Sequence, residues 1–460
     1  MALKLYNTLT RVEEEFKPLS AVVGLYTCGP TVYNYQHVGN YRTYIFEDLL
    51  KRTLKLLGFS VRHVMNITDV GHLVSDADEG EDKMEVGSAR EGKTAWDIAK
   101  TYTEAFLEDG VRLRLEPPDV LCKATDHVPE QIELVRRLEA KGFIYRTGDG
   151  LYFDTARFPD YGKLAGGSQR LAGLQAGARV EANPEKRNPS DFAVWKFSPK
   201  GKKRHMEWDS PWGRGFPGWH IECSAMAMKY LGESFDIHCG GIDHVPIHHT
   251  NEIAQSEGAT GKPFVRYWLH GEFLLMNTAK MAKSKGGFIT LRHLMEKGFD
   301  PLDYRYHCLT AHYRKQLDFS WEALESSKTA RRRLRELALA FKKEPAKPAC
   351  ADDETAFRRA LEDDLNVPGA LASVWEGLRR QDIPAGAKAA LLRMAEDLFR
   401  LGLFDEAEQA LDGELERLLH EREQARRSKD FSRSDELRRE LERRGLLVED
   451  TAQGQRWRRK

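Results

Sequence analysis

Apolar runs and helically spaced apolar residues alternate along the first part of the chain. Residues 21–26 form a short apolar run with the length of a buried strand. A Gly/Pro loop follows, and apolar residues then recur at helical spacing up to Leu57, with Gly58 placed to end the helix. Residues 60–65 predict the next strand. A strand, a helix and a strand in this order make a βαβ unit, which predicts a parallel sheet.

A second unit of the same kind occurs further along the chain. Residues 235–238 are strand-like, a helix is expected from about Pro246 to Glu257, and residues 265–275 hold the next strand. Between the two units, from about Pro117 to Pro217, proline and glycine are frequent and only short strands are indicated. The pattern therefore predicts one parallel sheet that is split in sequence by an insertion.

The chain beyond Pro301 has a different pattern. Apolar residues recur at helical spacing over about 317–341, 354–381 and 384–403, which predicts an all-α bundle. Residues 413–460 form a last module with 14 Lys/Arg against 11 Asp/Glu. The predicted fold class is α/β: a split Rossmann-like parallel-sheet domain with an insertion, an all-α bundle and a small C-terminal module. The predicted boundaries are 1–116, 117–217, 218–300, 301–412 and 413–460.

Composition narrows the class of protein but does not name a partner. At 460 residues the chain is too long for one compact domain, and 41% hydrophobic residues exclude disorder as a description of the whole. The sequence has no stretch of eighteen apolar residues and no apolar core of a signal peptide, so we expect a cytoplasmic protein with no membrane partner. Six cysteines without a CxxC pair are typical of reduced thiols. A formal net charge of zero neither favours nor excludes nucleic acid.

Two short motifs suit phosphate chemistry. The first, His37-Val38-Gly39-Asn40, falls at a predicted helix start, where exposed N–H groups and the helix dipole favour negative charge. An ordinary βα turn with a surface histidine gives the same pattern more often. The second, residues 280–287, places three lysines within six residues before a glycine pair. Such a segment can stabilise charge in nucleotidyl transfer, although a solvated basic turn is the commoner case.

The two motifs together, one on each half of a split sheet, resemble the HIGH and KMSKS signatures of class I aminoacyl-tRNA synthetases. Asn40 and Ala282 stand where these signatures have a His and a Ser. Further segments resemble the cysteinyl-tRNA synthetase family over essentially the whole chain, at residues 26–33, 66–69, 218–224, 248–256 and 429–458. Thr250 and Cys239 stand where that family usually has a Glu and a Gly.

The resemblance implies an ATP-dependent ligase that joins L-cysteine to the 3′ end of its tRNA in two steps. The cysteine carboxylate would attack the α-phosphate of ATP, and the terminal ribose hydroxyl of the tRNA would then take the acyl group. ATP is expected with Mg²⁺. The resemblance also assigns catalytic halves to 1–116 and 218–300, a connective insertion to 117–217, tRNA binding to 301–412 and anticodon recognition to 413–460.

The resemblance implies roles for particular residues. The expected catalytic residues are His37, Lys280 and Lys283. The expected ATP-binding residues are His37, Gly39, Asn40, Asp243 and Lys283. The expected substrate-binding residues are Cys28, Thr68, Trp219 and His238. From the sequence alone, Trp219 is equally explained as a core aromatic residue and Asp243 as a turn residue.

A metal site is expected from one further set of residues. His248 and Glu252 are four apart on a predicted helix, so both side chains can chelate from one face, although such a pair is more often a surface hydrogen bond. Taken singly, Cys28 and Cys223 are more typical of small buried hydrophobic residues. The resemblance implies that these four residues hold one Zn²⁺ per chain, with His249 outside the ligand set.

Two other functions are compatible with parts of this pattern. Cysteine ligases of mycothiol synthesis share the catalytic core but lack a full anticodon module, whereas this chain continues for about 150 residues after Pro301. A tRNA- or metal-binding paralogue without catalysis would not need His37, Lys280 and Lys283. Both alternatives are therefore less consistent with the sequence.

We expect Lys283→Ala to slow adenylate formation far more than it weakens ATP binding. If Lys283 stabilises charge on the departing pyrophosphate, its loss should cost roughly 3 kcal/mol, on the order of a hundredfold in rate. Cysteine-dependent pyrophosphate exchange measures this step. An unchanged exchange rate would identify the lysine-rich segment as a solvated turn.

Overall fold

The computed structural model describes residues 2–71, 83–167, 171, 184–199, 201, 204–276, 288–345, 347–405, 413–428, 430–451 and 454–459. The chain forms two compact units, Met1–Leu403 and Phe404–Lys460. Within the described residues, no helix is both long and apolar enough to cross a membrane.

The strands of the described residues form five sheets. In chain order they are β1 Lys4–Asn7, β2 Val12–Glu15, β3 Val22–Thr27, β4 Ser60–Ile67, β5 Val120–Lys123, β6 Ile144–Arg146, β7 Gly150–Phe153, β8 Phe192–Phe197, β9 Gly215–Pro217, β10 Phe235–Gly241, β11 Val265–Gly271, β12 Leu274–Met276, β13 Leu317–Phe319, β14 Leu446–Thr451 and β15 Gly454–Arg459. The largest sheet has the order β11-β10-β3-β4-β5, and all its pairs are parallel. A separate antiparallel sheet, β6-β7-β8-β9, lies in the predicted insertion.

The α-helices of the described residues connect and cover these strands. They are α1 Val38–Leu56, α2 Lys83–Glu91, α3 Ala95–Arg112, α4 Val128–Ala140, α5 Trp219–Leu231, α6 His248–Thr260, α7 Leu291–Glu296, α8 Pro301–Leu309, α9 Trp321–Phe341, α10 Ala351–Glu362, α11 Val367–Arg379, α12 Ala385–Phe399, α13 Gly413–Arg427 and α14 Phe431–Arg443. The units β3-α1-β4 and β10-α6-β11 are the two predicted βαβ units. The predicted α/β class with a split parallel sheet is therefore confirmed.

The parallel sheet is buried on both faces, as a parallel sheet requires. Successive residues of β3 point to opposite sides: Leu25 packs with Phe46 and Leu50 of α1, whereas Tyr26 packs with Met226 of α5. The strand order reverses between β3 and β10, because the chain builds outward from β3 on one side and from β10 on the other. This reversal opens a crevice at the carboxyl ends of the two strands, where open α/β sheets bind ligands.

Three details differ from the predicted elements. The predicted helix over 354–381 is two helices, because Asp364 and Leu365 between them have φ of 49° and 54° and the Asn366 side chain caps the second helix. The helix expected from Pro246 begins at His248. Strand β13 lies within the predicted all-α segment and pairs in parallel with β12. The domain boundaries given above stay predictions.

Buried His63 on β4 makes the stability of the fold depend on pH. Its ring nitrogen Nε2 lies 2.9 Å from Thr27 Oγ1. Burial, reinforced by nearby Lys51, lowers the pKa of His63 to about 3. The ring is therefore neutral in the folded protein at pH 7, and protonation favours the unfolded chain, where an ordinary histidine pKa is about 6.5.

We expect the free energy of unfolding to decrease as the pH is lowered from about 6.5 to about 3, because the pKa of His63 is lower in the folded protein than in the unfolded chain. Urea unfolding of the wild type and of His63→Gln should be compared at pH 7 and pH 4. The wild type should lose on the order of 3 kcal/mol more than the variant over this interval. Equal losses would show that His63 does not carry this part of the pH dependence.

Candidate active site

Two thiols, an imidazole and a carboxylate meet in the crevice at the carboxyl edge of the sheet. Cys28 directly follows β3, Cys223 lies on α5, and His248 and Glu252 occupy the first and fifth positions of α6. Their ligand atoms all lie within 4.8 Å of one another, and all four residues are buried. The predicted set is thus brought together by three different elements.

Glu252 is the most enclosed member of this set. Its Oε2 lies 3.1 Å from His238 Nε2, and its Oε1 lies 3.1 Å from His248 Nε2. Burial alone would raise the pKa of this carboxyl group, but His238 and His248 outweigh burial and lower the pKa to about 2. Glu252 is therefore a carboxylate at neutral pH, and its oxygens are available as ligands for a cation.

The two thiols differ in acidity. The contact from Cys28, together with His248 and against the opposing effects of burial and Glu252, lowers the pKa of Cys223 to about 7. Burial and the neighbouring Cys223 raise the pKa of Cys28. Because a thiolate is the form that binds metal ions, Cys223 is prepared for coordination near neutral pH.

A second set of donors overlaps the first: Cys28, His238, His249 and Glu252. His249 Nε2 lies 3.3 Å from Cys28 Sγ. The two sets differ in access, because Cys28, Cys223 and His248 line a cavity, whereas His238 and His249 are absent from its lining. The first set is therefore the one with three members that a ligand in the cavity can reach.

Three of the four predicted substrate-binding residues line the same cavity. They are Cys28, Thr68 and Trp219, whereas His238 does not line it and contacts Glu252. The Asn66 side chain donates to Thr68 Oγ1 at 3.0 Å and accepts from the Gly29 N–H at 2.9 Å. A Cβ at Gly29 would come within 1.7 Å of the Asn66 carbonyl oxygen, so only glycine fits beside it.

His37 caps the N-terminus of α1 and faces a neighbouring cleft. Its Nδ1 accepts from the Asn40 N–H at 3.3 Å, and Asn40 Oδ1 accepts from the His37 N–H at 3.1 Å. Burial lowers the pKa of His37, partly offset by Asp243, so the ring is neutral at pH 7. With Nδ1 accepting, the proton of the neutral ring is on Nε2. A Cβ at Gly39 would lie 3.0 Å from the ring, which makes glycine the residue that leaves it room.

The cleft beside His37 has a volume of about 340 Å³ and also contains Asn40 and Asp243. It shares Cys28, Trp219 and Asp243 with the cavity of the donor set, so the two spaces adjoin. Lys280 and Lys283 lie outside the described residues. The structure thus brings the predicted phosphate motif on α1 next to the predicted metal ligands.

Several histidines of the site carry no role in the sequence prediction. His220 Nδ1 lies 2.8 Å from His248 Nδ1, and His270 Nε2 lies 2.8 Å from His249 Nδ1. His270 in turn contacts Thr8 Oγ1 at 2.8 Å. The sequence does indicate a histidine-rich site in this region, since six of the 15 histidines fall in the segment from residue 220 to residue 270.

The architecture matches solved class I synthetases. Mycobacterium tuberculosis methionyl-tRNA synthetase in complex with methionyl-adenylate is similar with a TM-score of 0.56, over 83% of this chain and 90% of that chain, at 16% identity. This likeness shows the fold alone. The chain therefore has the fold of a class I aminoacyl-tRNA synthetase.

Sequence comparison gives the family. Residues 15–329 match the model of the class I (C) tRNA synthetase catalytic domain, and residues 408–458 match the cysteinyl-tRNA ligase anticodon binding domain. Cysteine–tRNA ligase 1 of Burkholderia lata is 52% identical, covering 99% of this chain and 97% of that protein. Cysteine–tRNA ligase of Treponema denticola is 46% identical, covering 99% of both chains. The chain belongs to the cysteinyl-tRNA synthetase family.

Proposed function

We propose that this protein is a cysteine–tRNA ligase, which activates L-cysteine with ATP and transfers it to the 3′ end of its tRNA. The observation that carries the proposal is that two spaces adjoin: the cavity of the main donor set and the cleft that contains His37. A cysteine whose thiol reached the donor set Cys28, Cys223, His248 and Glu252 would have its carboxylate directed toward the cleft beside His37. This cleft is the proposed nucleotide cleft. The free cysteines of the chain suit a cytoplasmic enzyme.

In the activation step, the cysteine carboxylate attacks the α-phosphate of ATP and pyrophosphate leaves. Neutral His37 donates its Nε2–H to a phosphate oxygen without placing a full positive charge in the cleft. Gly39 and Asn40 hold that ring at the start of α1, where the positive end of the helix dipole favours phosphate. Asp243, which lines the same cleft, is proposed to accept from a ribose hydroxyl. Lys280 and Lys283 are proposed to neutralise charge on the leaving pyrophosphate, and Mg²⁺ accompanies ATP.

The donor set fits one Zn²⁺ per chain. Two thiols, one imidazole and one carboxylate are typical zinc ligands, and their donor atoms lie within 4.8 Å of one another, with Glu252 Oε1 3.1 Å from His248 Nε2. Bound zinc would lower the pKa of the substrate thiol and favour sulfur over the hydroxyl of serine. The chain itself orients the ligands: His238 holds one oxygen of Glu252, and His220 contacts His248. Thr68 and Trp219 enclose the rest of the amino acid.

The second unit favours a tRNA ligase over a cysteine ligase of mycothiol synthesis. It contains α13, α14 and the β14-β15 hairpin. Fully buried Arg422 donates to both carboxylate oxygens of Asp450, at 3.0 and 2.8 Å, and so joins α13 to the hairpin. Its match to an anticodon binding domain supports recognition of the cysteine tRNA. The mycothiol-type function is therefore the weaker candidate.

The proposed amino acid and its selection by metal can be tested together. We expect pyrophosphate exchange with cysteine but not with serine, because bound zinc would select the thiol. An apolar pocket alone would separate these near-isosteres by only about 1–3 kcal/mol. Cys223→Ser and His248→Asn should lose most bound zinc and most cysteine affinity, with smaller effects on ATP binding. Zinc content and cysteine binding are the measurements.

His249→Asn is the matched control for His248→Asn, because it removes a neighbouring imidazole of the second donor set. It should retain zinc. If His249→Asn lost the metal while His248→Asn kept it, the metal would belong to the second set. A metal-free wild type that binds cysteine tightly and rejects serine would contradict selection by zinc.

Removing residues 413–460 should weaken tRNA charging by at least about tenfold and leave cysteine-dependent pyrophosphate exchange within about twofold of the full chain. We expect the two activities to separate because the chain divides into two compact units after Leu403, and residues 413–460 belong to the second unit. Both assays should be run on both proteins. Equal loss of charging and exchange would mean that the last module supports the fold rather than tRNA binding.

A further inference from the structure

Phe288 is an exposed aromatic residue in direct contact with His37. Its side chain is 64% exposed, yet its ring stacks on the imidazole with centroids 5.1 Å apart and planes 18° from parallel. Both residues line the nucleotide cleft. Exposure alone would need no explanation, because single apolar residues are common on protein surfaces. The stacked geometry on a proposed functional ring is the informative feature.

The backbone after Phe288 is fixed against the start of α1. The Val38 N–H donates to the Ile289 carbonyl oxygen at 2.8 Å, and His37 forms an antiparallel bridge with Thr290. Buried Ile289 and the Thr290 cap of α7 hold this segment in place. The Phe288 ring is therefore attached to a backbone segment that is hydrogen-bonded beside His37, the residue that the ring contacts.

The His37 ring is held on its edge and on one face. Its edge is set by the Asn40 N–H on Nδ1 and by the space left at Gly39. An imidazole held only at Nδ1 can still swing about its χ torsions, and such a movement displaces Nε2. Within the described residues, Phe288 supplies the aromatic stacking contact on the face of the ring.

We infer that Phe288 is a positioning residue, which holds the plane of the His37 imidazole so that its Nε2–H is directed into the nucleotide cleft. Phe288 itself takes no part in bond making or bond breaking. Its effect is geometric, because a donor must be aimed at the phosphate oxygen as charge develops there. The inference rests on the proposed function for its effect on activity, but not for its effect on the ring.

A residue that positions His37 and a residue that merely binds the nucleotide have different kinetic effects when they are removed. A phenyl ring that stacked on the adenine base would contribute equally to ground state and transition state, so its loss would raise KM for ATP and leave kcat unchanged. A ring that positions His37 acts on the transition state, so its loss lowers kcat with little change in KM.

Phe288→Ala should lower kcat of cysteine-dependent pyrophosphate exchange about tenfold and keep KM for ATP within about twofold. Phe288→Tyr retains a stacking ring and should restore at least half of the wild-type rate. Val111→Ala removes another exposed apolar side chain, on α3 and outside the cleft lining, and should leave exchange unchanged.

An activity-independent measurement completes the test. The NMR signal of the His37 Cε1 proton, assigned with a His37→Gln variant, should shift in Phe288→Ala because the ring current of the phenyl group is lost, and should stay near its wild-type position in Phe288→Tyr. An unmoved signal, an unchanged kcat, or an effect on KM alone would overturn the inference. A wild type without cysteine-dependent exchange would contradict the proposed function, while the His37 signal would still decide the stacking.

Discussion

The site depends on the interaction of the buried Glu252 carboxylate with His238 and His248. A carboxylate without solvent is stable only with nearby positive charge or hydrogen bonds, and removing the partner of a buried charge costs about 3–5 kcal/mol. Here His238 and His248 approach its two oxygens at 3.1 Å each. Because these histidines come from β10 and α6, the charge ties the strand to the helix and fixes where Cys28 and Cys223 meet them.

The crevice exists because the sheet is built outward in two directions from β3 and β10. Neither strand contributes its own loop to the space in front of the other, so the carboxyl edge stays open there. One side of that opening receives the helix start at His37, where the positive end of the helix dipole suits phosphate. The other side receives sulfur, imidazole and carboxylate donors. The proposed anion site and the proposed thiol-selective site therefore both follow from one topological feature.

Burial and specific neighbouring groups together set the different protonation states that the proposed chemistry needs. His37 is kept neutral, so it donates one hydrogen bond. Cys223 has a pKa of about 7, whereas the pKa of Cys28 is raised by burial. Glu252 stays ionised despite complete burial. Neighbouring groups therefore carry different charges within one small volume, which is the arrangement expected of a functional site.

Periodicity along the chain predicted the βαβ units, the insertion and the helical bundle, and the family resemblance carried by longer motifs indicated the residues of the main donor set. Periodicity was wrong about the single helix over 354–381, where left-handed residues interrupt the helical period. Only the tertiary structure showed the second donor set around His249, the support from His220 and His270, and the stacking of Phe288 on His37. These contacts join residues up to 251 positions apart, and sequence spacing holds no information on which of them meet.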